Sequence, residues 1–144
     1  MRAVPPPFVL RAPAEAIIHM LIKQAYLIFA FFVVSVIALL YGISPDWFAR
    51  YFLDIKELDA NLAHILRAMM GLYVALGLFW LYAAFSPRYR NAAILMTVIF
   101  CAGLVSGRLV SLAVDGRPAP LLLLYVGMEF AFVPVGLWVF RRPD

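Results

Sequence analysis

The chain has 144 residues, of which 66% are apolar and 14% charged, with 12 Lys and Arg against 8 Asp and Glu for a formal net charge of +4. Soluble domains run at about 45–50% apolar and about 25% charged, and so small a body leaves too much surface exposed to hide this excess. These figures exclude a soluble enzyme, a disordered tail and a nucleic-acid module, and a lone cysteine, Cys101, excludes a disulfide framework and a cysteine-based zinc site.

Residues 1–12, with Pro5-Pro6-Pro7, read as an irregular proline-rich segment ahead of a single domain at 13–144. The first apolar span covers residues 24–41, and its helix is predicted to begin near Pro13, a residue suited to a first helical turn. Its preceding segment is too long for a cleavable leader and no small-x-small site follows, so the span is expected to stay as an anchor. Arg11 and Lys23 are expected to snorkel to the headgroups. After the breaker Gly42-Ile43-Ser44-Pro45, residues 45–52 mix Trp47, Phe48, Tyr51 and Phe52 with charge. That pattern predicts a short helix lying in the membrane interface.

Three more spans follow at 62–85, 91–114 and 121–140, separated by Ser86-Pro87-Arg88 and Asp115-Gly116-Arg117-Pro118 and closed by Arg141-Arg142-Pro143. Lipid offers no partner to a bare peptide group, so each span must be a helix. The fold class is therefore all-α, a four-transmembrane-helix bundle. Arg2, Arg11, Lys23, Arg88, Arg90, Arg141 and Arg142 fall on one side. The other side has Arg50, Lys56 and Arg117 among Asp46, Asp54, Glu57, Asp59 and Asp115. The positive-inside rule places both termini in the cytoplasm.

The informative residues are those that lipid penalises: His64 and Arg67 in the second span, Arg108 in the third and Glu129 in the fourth. A charge at mid-membrane costs about 2.5–3.5 kcal/mol on the lenient insertion scale. At about 1.5 Å per residue the three charges fall at similar depth, roughly 10–14 Å below the outer ends of their helices. His64, Arg67, Gly71 and Ala75 share one helical stripe, as do Thr97, Cys101, Leu104, Arg108, Ser111 and Asp115, and again Tyr125, Glu129, Phe132 and Gly136. All three stripes are expected to face the bundle interior, giving an ionic cluster of Arg67, Arg108 and Glu129 with His64 above it. Ser111, Asp115 and Tyr125 are candidate neighbours. Gly71, Gly103 and Gly107 are candidate helix-packing positions. The cluster reads either as a structural staple that fixes helix register and rotation or as a ligand site, since two arginines against one carboxylate leave a positive charge to be answered by an anion such as a lipid phosphate. No residues sit at metal-ligand spacing, and no metal is expected.

Two segments carry a resemblance: His64-Ile65-Leu66-Arg67-Ala68-Met69-Met70-Gly71-Leu72-Tyr73 and Ala102-Gly103-Leu104-Val105-Ser106-Gly107-Arg108-Leu109-Val110-Ser111. The second is followed by Asp115-Gly116-Arg117-Pro118 and Glu129. Over residues 26–140 the chain resembles a domain-of-unknown-function family of small bacterial four-helix membrane proteins, and more distantly the DoxX-like membrane proteins. The resemblance implies a four-helix bundle in a bacterial inner membrane and supplies no activity.

The function expected on these grounds is a non-catalytic accessory or scaffold subunit of a larger respiratory, photosynthetic or transport complex. It would be surrounded by membrane lipids and joined to other subunits or to its own copies, with no nucleic-acid partner. The alternative is a protein or membrane enzyme that binds an amphipathic ligand, a lipid, quinone or sterol-like molecule, at His64, Arg67, Arg108 and Glu129. A small proton or solute carrier ranks last. No cofactor is identified beyond such a bound amphiphile.

Overall fold

In the computed structural model the backbone is described for residues 8–143 and the side chains for residues 14–143. The described chain is helical, with five helices: α1 (Phe8–Gly42), α2 (Pro45–Phe52), α3 (Ala60–Ala84), α4 (Pro87–Val114) and α5 (Pro120–Phe140). α1, α3, α4 and α5 are long and apolar enough to cross a membrane, and the chain is a multi-pass membrane protein. The proline-rich segment lies outside the described residues as far as residue 7. From Phe8 the backbone is already helical, so α1 passes through Pro13 rather than starting on it.

Local chemistry sets the helix starts. α2, α4 and α5 each open with a proline in the first turn, where a missing N–H costs nothing. α3 opens two residues earlier than hydropathy indicates, because Asp59 caps it: its Oδ1 accepts from the Leu62 N–H at 2.7 Å. α3 and α4 are joined by a tight turn at Phe85 and Ser86. At Gly116, between α4 and α5, φ is +93°, a conformation that favours glycine.

The most extensive pairings are α1 with α3 and α4 with α5. α1 also meets α4 and α5, and α3 meets α4. Around the bundle the order is therefore α1, α3, α4, α5. α1 turns Leu27, Ala30, Val34, Ile37, Ala38 and Tyr41 inward, the 3–4 spacing of a bundle seam. Aromatic rings fill the middle: Tyr73 and Trp80 of α3 both pack edge-on against Phe100 of α4, at 5.2 and 5.7 Å between centroids. At the α2 end, Tyr41 meets Phe48 edge-on at 4.9 Å, which ties the short helix to the bundle. Phe48 and Ala49 are buried, whereas Trp47 and Tyr51 are exposed. Outward faces carry Phe29, Phe32, Ile65, Leu72, Ile99, Val110, Leu124 and Phe130, an apolar surface larger than water tolerates and suited to lipid.

Helices touch most closely at glycines other than those expected. A Cβ on Gly77 would lie 2.9 Å from Val34 Cγ1. One on Gly136 would meet Tyr26 and Val98, and one on Gly42 would meet Met70. Among the described residues Gly71, Gly103 and Gly107 have no neighbour within 4 Å of that position. Small-xxx-small spacing permits close approach, but no described helix of this chain crosses there.

Candidate functional site

Arg108 of α4 and Glu129 of α5 form a two-pronged ion pair. Arg108 Nε donates to Glu129 Oε2 at 2.8 Å and Nη2 donates to Oε1 at 3.1 Å. The side chains are 21% and 8% exposed, so the pair is largely withdrawn from the surroundings. Two parallel bonds fix both distance and plane, which a lysine in place of Arg108 would not do. The Tyr41 hydroxyl lies within hydrogen-bonding reach of Arg108. The Arg108 guanidinium also sits over the Tyr125 ring, 5.8 Å from its centroid. The arginine is thus held by α1 and by two residues of α5, so the pair fastens α4 and α5 and touches α1.

The expected stripes on α4 and α5 do face inward at their centres. Thr97, Cys101, Tyr125, Glu129 and Gly136 are buried, and Leu104 and Phe132 partly so. Further along α4, Ser111 and Asp115 are exposed and bonded to each other, Ser111 Oγ donating to Asp115 Oδ2 at 2.8 Å. That bond trims the helix end and does not reach the pair. The Tyr125 hydroxyl is buried with no hydrogen-bond partner among the described residues.

The stripe on α3 is the correction. His64, Arg67, Gly71 and Ala75 are all exposed, and neither His64 nor Arg67 has an ion-pair partner among the described residues. α3 packs through Tyr73, Gly77 and Trp80, which lie on the opposite side of the helix from Arg67 and Gly71. Matching depth and a polar stripe do not say which face a neighbour occupies. The site therefore holds one cation and one anion, and the surplus charge expected from two arginines is not there.

Two buried cations escaped the sequence reading. Lys23 is fully buried, and its Nζ donates to Asn91 Oδ1 of α4 at 2.9 Å. It does not snorkel. Arg90 is buried as well, its Nε donating to the Ala84 carbonyl at 3.2 Å, and so serves the unpaired C-terminal carbonyls of α3. Position could have revealed Lys23, since it stands one turn before Leu27 on the seam of α1 that continues to Tyr41.

Beside Arg108 lies an open groove of ≈ 420 Å³, lined by Tyr41, Phe48 and Tyr73 and by Gly103 and Gly107 of α4. Among the described residues no group of three or more His, Cys, Asp or Glu is placed to hold a metal ion. A family described as a domain of unknown function, DUF4345, matches residues 22–140. No curated protein and no solved structure matches the chain.

Proposed function

The chain belongs to the DUF4345 family, and on that footing we propose that it is a non-catalytic accessory or scaffold subunit that docks to another membrane protein through α3. The observation that supports this reading is the outward stripe of His64, Arg67, Gly71 and Ala75. Small residues on a membrane helix let a second backbone come close. A charge on a spanning segment normally faces protein or water rather than acyl chains. Together they describe half of a helix–helix contact whose other half lies on another chain.

The partner helix would present a carboxylate or free carbonyls at the depth of Arg67. A second copy of this chain fits less well. A two-fold axis along the membrane normal sets both Arg67 side chains at the same depth, like charge toward like. In our reading both termini face the cytoplasm of a bacterial cell, with Arg88, Arg141 and Arg142 at the inner surface and α2 in the outer interface.

Gly71→Leu tests the reading. Nothing within 4 Å of Gly71 obstructs a side chain, so the isolated bundle should keep its melting temperature. Co-purification with the partner after mild detergent extraction should be lost. A variant that still co-purifies would remove α3 from the interface.

The groove beside Arg108 favours a second reading, an amphiphile lying against Gly103 and Gly107 with its head at the free guanidinium N–H groups. Gly107→Leu fills the groove without disturbing the ion pair. Native mass spectrometry should then show a bound amphiphile on the wild-type protein and none on the variant. The same adduct on both would count against it.

A further inference from the structure

A chamber of ≈ 30 Å³ lies between α1, α3, α4 and α5, with Glu129 and Trp80 among the residues that line it. Its walls are mostly hydrocarbon, and three of the residues that line it carry polar groups: Glu129, Thr97 and Trp80. Trp80 is 2% exposed, and its Nε1 is buried with no hydrogen-bond partner among the described residues. Thr97 is 1% exposed. Its Oγ1 donates to the Ala93 carbonyl at 2.9 Å, which leaves the hydroxyl lone pairs able to accept.

A buried donor without an acceptor is costly, a penalty that native interiors relieve with a bound polar molecule where space allows. Space allows it here. One water needs about 10–15 Å³ measured in this way, so the chamber admits about two. From these facts we infer that the chamber is a binding site for small neutral hydrogen-bonding molecules of water's size, one of them bridging Trp80 Nε1 and Thr97 Oγ1.

At that site the molecule accepts from the indole N–H and donates to the threonine oxygen. The second place lies toward Glu129. The site draws its walls from four helices and shares Tyr73 and Leu104 with the groove beside Arg108.

The test is magnetisation transfer from water to the ¹⁵N-labelled indole groups of the bilayer-embedded protein, with Trp80→Phe assigning the Trp80 signal among those of Trp47, Trp80 and Trp138. The Trp80 N–H should receive magnetisation directly from water. Thr97→Val, which keeps the side-chain shape and removes the acceptor, should abolish that transfer while the Trp47 transfer stays. A Trp80 N–H that receives magnetisation only from aliphatic protons would overturn the inference, as would unchanged transfer in Thr97→Val. The first measurement needs only the unaltered chamber, so it stands even if the valine variant folds poorly.

Discussion

Glu129→Leu is expected to lower the unfolding free energy by about 3–5 kcal/mol, the cost of leaving a buried charge without its partner. The cause is visible in the geometry. Both Arg108 bonds to α5 end on this carboxylate, and at 21% exposure the guanidinium has little recourse to water. Arg108→Met should cost a similar amount for the mirror reason, since Glu129 would remain among apolar side chains. The double variant should recover most of the loss, because two apolar residues of similar volume often match a buried pair in stability. Denaturant unfolding in detergent micelles measures all three. Costs that simply add would mean that the two side chains do not depend on each other.

Gly136→Leu is the second large effect expected, a destabilisation of about 1–3 kcal/mol or more from overpacking. Its Cβ would land on Tyr26 and on Val98. Tyr26 is 7% exposed and its hydroxyl donates to the Phe132 carbonyl at 3.3 Å, so it can yield only by losing that bond. Here α1, α4 and α5 converge on one residue without a side chain. Gly127→Leu, on the same helix with nothing within 4 Å, is the control. It should be neutral or slightly stabilising, as a helix-interior glycine costs about 0.8–1.0 kcal/mol relative to alanine. Thermal melts of the two variants should shift by clearly different amounts.

The architecture was legible because lipid imposes it. Each span had to be long, apolar and helical, and the breakers at Pro45, Pro87 and Pro118 marked the starts within a few residues. The Arg108–Glu129 pair was legible as well, since two unlike charges at similar depth on inward stripes of neighbouring helices have few other ways to be satisfied. Arg67 was not placed correctly, because helical periodicity reports that a stripe exists and not which neighbour it faces. In α3 the packing face is made by Tyr73, Gly77 and Trp80, and the polar stripe points the other way. Lys23 was missed for the opposite reason. Its nearness to the start of an apolar run suggested the membrane surface, while its register with Leu27 and Tyr41 assigned it to the seam. The groove at Gly103 and Gly107 depends on how the helices that line it pack, a tertiary property that spacing within any one helix does not carry.

The outward stripe of α3 bears most directly on the role proposed for this protein. A photo-crosslinking residue placed at Ala75 in native membranes, with Leu124 on the exposed face of α5 as the comparison, examines that face in place. The expected result is an adduct of one discrete mass with another protein from Ala75 and lipid adducts from Leu124. Lipid adducts alone from both positions would contradict the account, leaving Arg67 as a surface charge that reaches the headgroups and α3 as a helix without a partner.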